Sequence, residues 1–268
     1  MKLAITHVTT YSYDTPVHYA LQQLRLIPRT GPGQQVINWT SSITGGEKQL
    51  SFEDQFANHT ELVKVDPGAT MIEIISQGQV EVENRHGVVG PHTGFAPLWL
   101  FQEPTPMTAA GNNVRKLAAK MRADFAELDS IAHLHALMAE IATDVRYETG
   151  QTDSRTTAEV ALTAQRGVCQ DHAHIMIAVA RHLGHPARYV SGYLMMDGQI
   201  AQEASHAWCE VWIETLGWVG FDVSNGISPD DRYVRVAIGR DYRDAAPILG
   251  IRQGTGHEDL HVSLQVQQ

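Results

Sequence analysis

Three residues in this chain are of the types that carry out acyl chemistry together: Cys169, His206 and Asp222. In such a set the imidazole takes the thiol proton, the carboxylate fixes the tautomer and orientation of the imidazole, and the thiolate attacks a carbonyl carbon. Cys169 follows Gly167-Val168 and opens an amphipathic segment. Unpaired amides and the dipole at a helix start stabilise a thiolate and can hold an oxyanion. Asp171, two residues on, works against that effect, and a small buried residue at a helix start is the plain alternative.

The other two residues fall on alternating segments. In Ser205–Glu214 the period of two puts His206, Trp208, Glu210 and Trp212 on one face, and Ala207, Cys209, Val211 and Ile213 on the other. Cys209 is therefore expected in the core, pointing away from His206. If residues 215–217 form the turn, Asp222 in the next segment shares the face of His206. That register sets Asp222 opposite Glu210, so a longer loop or a bulge is needed to bring Asp222 to the imidazole.

The elements that must position these residues divide near residue 95. Before it, residues 4–13, 20–27 and 34–43 read as strands. Ile72 and Ile74, then Val80 and Val82, read as a hairpin turning at Gln77-Gly78. Frequent short strands predict a β-sandwich for residues 1–95. A Gly/Pro-rich stretch (Gly87, Gly90, Pro91, Gly94, Pro97) marks the boundary. Beyond it, Val114–Phe125 and Ile131–Val145 have helical period, and Thr156 with Glu159 forms a capping box for a third helix. A fourth helix runs from Cys169 to Gly184. Strands are predicted at 187–196, 205–214 and 218–224, with a last one through Leu260, Val262, Leu264 and Val266. Residues 96–268 are thus expected to form an α+β catalytic core that includes the C-terminal strand.

Composition narrows the function class. The formal charge is −10, with 43% hydrophobic and 19% charged residues, which argues against nucleic acid or an anionic membrane as partner. The N-terminus does not read as a signal peptide and no window suits a membrane span, so a cytoplasmic location is expected. Two cysteines cannot make a disulfide framework. Cys169, His172 and His174 could be taken for a metal cluster. On a helix, however, residue 174 leaves the face shared by 169 and 172, so neither metal nor cofactor is expected. Gln165 is a candidate oxyanion donor, with helix capping or exposure explaining it equally well. Trp208 is a candidate wall of a substrate groove, with packing as its alternative.

Four stretches carry a resemblance. Arg166-Gly167-Val168-Cys169-Gln170-Asp171-His172-Ala173-His174, then Leu183–Tyr193, then Ser205-His206-Ala207-Trp208, then Gly217-Trp218-Val219-Gly220-Phe221-Asp222 resemble the bacterial transglutaminase-like proteins. Thr6–Tyr13 and Leu24–Arg29 resemble the β-rich N-terminal domain of that family, and Gly239–Asp244 resembles its tail. The resemblance implies a papain-type fold and a metal-independent enzyme, with Cys169 as nucleophile, His206 as base and Asp222 as orienter. The superfamily holds proteases, amidases, cross-linking transglutaminases and inactive members. Hydrolysis of a peptide or isopeptide bond in a peptide or protein substrate is favoured, because water needs no dedicated acceptor site. Amine transfer and a non-catalytic binding module are the alternatives.

Overall fold

The computed structural model describes residues 1–202, 204–254 and 256–268. The N-terminal part carries strands β1 (Lys2–Tyr13), β2 (Tyr19–Leu24), β3 (Gln34–Thr44), β4 (Gly46–Glu53), β5 (His59–Val65), β6 (Met71–Val82) and β7 (Val88–Gly90). Helices α1 (Asn112–Asp124) and α2 (Ser130–Asp144) follow, then β8 (Arg146–Tyr147), α3 (Ala158–Ala164), β9 (Arg166–Gly167) and α4 (Cys169–His182). The remainder comprises β10 (Ala187–Leu194), β11 (Ala201–Gln202), β12 (His206–Ile213), β13 (Gly217–Phe221), β14 (Tyr233–Gly239), α5 (Tyr242–Ala245), β15 (Ile248–Gln253) and β16 (Glu258–Gln267). Among the described residues, no helix is long and apolar enough to cross a membrane.

Two sheets, ordered β11-β16-β1-β6-β3 and β15-β2-β5-β4, make the expected sandwich. The alternation that predicts it is plain in β1, where Leu3, Ile5, His7, Thr9, Tyr11 and Tyr13 all face inward. A third sheet, β14-β10-β12-β13-β7, carries the helices on one face. Helix α4 is buried along nearly its whole length between α1–α3 and that sheet, in a core that includes Ile175, Val179, Ala207, Cys209 and Phe221. The overall class is α+β with mostly antiparallel sheets, as the sequence predicts.

Sheet membership departs from the expected cut near residue 95. The C-terminal strand β16 pairs with β1, and β15 pairs with β2, so both complete the sandwich and neither joins the core. Conversely β7, ahead of the cut, hydrogen-bonds β13. Each terminal strand covers a sandwich edge that would otherwise leave backbone groups unpaired.

The expected hairpin at Gln77-Gly78 is also corrected. Residues 71–82 are one continuous strand, paired with β1 on one side and β3 on the other. Gly78 is there because β3 bulges against it: a Cβ would lie 2.2 Å from the Asn38 carbonyl oxygen. The third helix starts one residue later than the Thr156 capping box predicts. Thr157 caps it, and the Glu159 carboxylate instead takes the Asn113 and Val114 amides at the start of α1, at 2.8 and 3.0 Å.

Two buried histidines give the fold a pH dependence. Burial lowers His7 to about 4. His174 is also lowered to about 4 by burial, with Asp241 opposing and Arg181 adding to the effect. Both side chains are neutral when folded and titrate near 6.5 when unfolded, so the unfolded chain binds more protons in between. Their contribution is complete above about pH 6.5 and is lost as pH falls towards 4. The expected loss between pH 6.5 and 5 is about 2 kcal/mol for each histidine. Urea unfolding at pH 7 and pH 5 measures it, and equal midpoints would contradict it.

Candidate active site

Cys169 is the first residue of α4 and is half-buried. The turn before it is fixed by Asp171, whose Oδ2 accepts the Val168 amide at 2.8 Å and the Thr152 hydroxyl at 2.6 Å. Gly167 is required by this packing, because a Cβ there would lie 2.6 Å from that of Asp171. Strand β8 runs parallel to β9 just ahead of the cysteine, which sets Tyr147 beside Gly167. The Tyr147 ring is 55% exposed and meets His172 edge-on at 6.1 Å. Its phenol is raised by burial first, then by the charges of Cys169 and Asp222.

His206 opens β12 and is 7% exposed. Its Nε2 donates to Asp222 Oδ2 at 2.6 Å, and Cys169 lies near enough to favour the charged form of the ring. With Nε2 engaged, Nδ1 is the atom left for the thiol. Burial alone would lower the imidazole, but the bond to Asp222 and the neighbouring Asp222 and Cys169 charges outweigh it and raise the value to about 10.

Asp222 lies just past the end of β13, fully buried. The even-face parity expected from the sequence holds, while the register differs. Ile213 pairs with Gly217 and Trp212 with Trp218, so the turn begins one residue earlier than expected. That slips β13 by two positions, brings Asp222 level with Trp208, and removes the need for a longer loop. Oδ2 then accepts from His206, from Asn225 Nδ2 at 2.7 Å and from the Tyr233 hydroxyl at 2.8 Å. Oδ1 accepts the Ser224 and Asn225 amides at 3.0 and 3.3 Å. Burial raises the carboxyl, but these bonds and the imidazolium outweigh it, so it is held below the usual carboxylate range.

The other candidates separate from this cluster. Gln165 caps α3 in the left-handed conformation (φ 55°), and its carbonyl takes the Arg146 amide. Its exposed side chain lines a surface pocket with Asn113, Lys116, Lys120 and Asp144, a set without Cys169 or His206. Trp208 is 3% exposed and stacks on His206 at 6.2 Å, and the pocket it lines with Glu210, Tyr233 and Arg235 holds neither Cys169 nor His206. Cys209 is wholly buried, as expected, and burial pushes its thiol well up.

Three contributing residues, Ser224, Asn225 and Tyr233, were not singled out for this cluster by sequence. Ser224 and Asn225 had a signal: Asp222-Val223-Ser224-Asn225-Gly226 is turn chemistry, in which an Asp accepts amides two and three residues on. His172 bridges the Val145 carbonyl at 3.0 Å and the Ser224 hydroxyl at 2.9 Å, and so braces the Asp222 turn. Tyr233, on a strand the sequence did not predict, had no signal.

Comparison with known proteins gives a consistent picture. Residues 3–81 match the bacterial transglutaminase-like N-terminal region, and residues 115–223 match the transglutaminase-like superfamily. An uncharacterized protein of Mycobacterium leprae is 28% identical over 99% of this chain and 98% of its own length. One from Mycobacterium tuberculosis is 41% identical over 44% of this chain and 41% of its own. In structure, a candidate cysteine protease from Cytophaga hutchinsonii superposes with a TM-score of 0.78 at 22% identity, covering 100% of this chain and 91% of that one. The chain thus joins a bacterial transglutaminase-like N-terminal region, over residues 3–81, to a transglutaminase-like core, over residues 115–223.

Proposed function

We propose that this protein is a cysteine-dependent enzyme that cleaves peptide or isopeptide bonds through a thioester on Cys169. The observation that carries this reading is the buried His206 imidazole, bonded to Asp222 at 2.6 Å, with Cys169 beside it favouring its charged form. In the first step the sulfur, its proton already held on His206 Nδ1, bonds the substrate carbonyl carbon while the carbonyl oxygen takes the electron pair. The amides at the start of α4 are available to that oxyanion. Collapse breaks the C–N bond, and the amine leaves with the proton held on the imidazole. Water then attacks the thioester, gives its proton to His206, and releases a carboxylic acid and the free thiol.

Water is the favoured acceptor because Cys169 is half-buried and open to solvent, and transfer to an amine requires that water be excluded. The substrate class is a peptide or protein amide. The test is product analysis on peptide amides with and without an added primary amine. A free acid in both cases supports hydrolysis. Quantitative incorporation of the amine would reassign the enzyme as a transglutaminase, and no turnover of any amide would favour a binding module on the same fold.

A further inference from the structure

We propose that the N-terminal region is a positioning element for the Asp222–His206 pair, acting through strand β14 and Tyr233; what the pair does rests on the function proposed above.

Strand β14 is the outer strand of the core sheet, with β10 on one side. An outer strand leaves N–H and C=O groups without ladder partners. Here two side-chain carboxamides from the N-terminal region meet them. The Arg235 amide donates to Gln34 Oε1 at 2.8 Å, and Gln34 Nε2 donates back to the Arg235 carbonyl at 2.9 Å. The Ile238 amide donates to Asn58 Oδ1 at 2.8 Å, and Asn58 Nδ2 donates back to the Ile238 carbonyl at 2.7 Å. Each carboxamide reproduces the paired donor and acceptor of a neighbouring strand. A bulge between Ser191 and Gly192 in the β10–β14 ladder shifts the phase of β14. That shift accounts for the three-residue spacing of the two clamped positions.

Asn58 is held as if for this purpose. Asp54 Oδ1 accepts the Phe56 and Asn58 amides, each at 2.9 Å, and Oδ2 accepts Asn58 Nδ2 at 3.0 Å and Arg25 Nε at 3.1 Å. Ala57 beside it adopts φ 63°, a left-handed conformation that is costly for a residue with a Cβ. Asn58, Asp54 and Arg25 are all buried.

Tyr233 begins the clamped strand, and its hydroxyl donates to the same Asp222 oxygen that accepts from His206. No loop intervenes between the clamp and that hydroxyl. Releasing the outer edge lets β14 twist and withdraws a donor from the carboxylate. Among the described residues, the ionisable groups around Asp222 and His206 are Tyr233 on β14, Cys169 and His172 on α4, Cys209 on β12 and Tyr147 on β8.

The test uses the full chain and compares Gln34→Leu/Asn58→Leu, Tyr233→Phe and the three combined. Two readouts are taken: the NMR resonance of the His206 Nε2 proton, and the rate of Cys169 alkylation by iodoacetamide from pH 5 to 9. Both sets should displace the His206 resonance and move the acid limb of the alkylation profile up by about one pH unit. The combined variant should match Tyr233→Phe alone, because the clamp acts through that hydroxyl. Should the leucine pair not fold, Gln34→Glu and Asn58→Asp keep the acceptors and lose the donors, and a smaller displacement in the same direction is expected. A lower melting temperature with the resonance and the profile unchanged would make the clamp merely structural and overturn the proposal; so would additive effects in the combined variant. If Cys169 of the unaltered protein alkylates no faster than Cys209, the acyl-transfer reading fails, and the His206 resonance alone still decides the clamp.

Discussion

Replacing Cys169 by alanine is expected to lower turnover of a peptide amide by roughly 10⁴-fold or more, to the level of the uncatalysed background. The thioester route depends on this sulfur, and the second thiol cannot substitute for it. Cys209 lies on the opposite face of β12 from His206, fully buried, with its thiol against the Phe221 carbonyl at 3.5 Å. The fold should hardly notice the change. Cys169 is half-buried at a helix start and the alanine loses one sulfur atom, so a stability change of less than about 1 kcal/mol is expected. Steady-state kinetics beside a thermal melt separates the two effects. An inactive variant that also melts early would leave the loss of activity unassigned to the sulfur.

Asp222→Asn is expected to cost roughly 10³- to 10⁴-fold in turnover, and to act by reversing a hydrogen bond. Every group around this carboxylate is a donor: three face Oδ2 and two amides face Oδ1. Whichever way an asparagine turns, its NH2 meets donors. The accommodation open to His206 is to move its proton to Nδ1, which then faces Cys169 and cannot take the thiol proton. The imidazole should titrate differently as well. In the unaltered protein the bond to Asp222 and the neighbouring Asp222 and Cys169 charges outweigh burial and raise it to about 10. Without the carboxylate, burial is opposed only by Cys169, so the value should fall towards 6.5 or below. The sign of the linkage follows. A raised folded value stabilises the protein fully below pH 6.5, and that contribution fades as pH rises towards 10, so the variant should lose stability mainly at and below neutral pH. NMR titration of His206, with urea unfolding at pH 6 and pH 9, checks both parts.

The face of β12 that carries His206 was legible in the sequence because strand parity is local: His206 and Cys209 differ by an odd number and must point apart. The distance from Asp222 was not legible. It depends on where a three-residue turn begins, and a start one residue earlier slips the pair by two positions. In β6 the inward set Ile72, Ile74, Ser76, Val80 and Val82 keeps one parity throughout. That uninterrupted parity was evidence against a turn at Gln77-Gly78. The glycine reported a close approach by β3, a tertiary fact that local turn chemistry cannot carry. The pairing of β15 and β16 with β2 and β1 spans more than two hundred residues of chain, and alternation in the last strand says only that it has a buried face. Tyr233 was missed for the same reason: its importance lies in what the fold sets beside it.

The central claim is that Cys169 and His206 act as a pair, and iodoacetamide labelling with peptide mass mapping at pH 6 tests it most directly. An isolated thiol, which titrates near 8.5, is almost wholly protonated there and reacts slowly. The account predicts that Cys169 is labelled at least about tenfold faster than such a thiol, that Cys209 stays unlabelled in the folded protein, and that His206→Ala removes the advantage of Cys169. Slow, equal labelling of both cysteines, unaffected by His206→Ala, would contradict it.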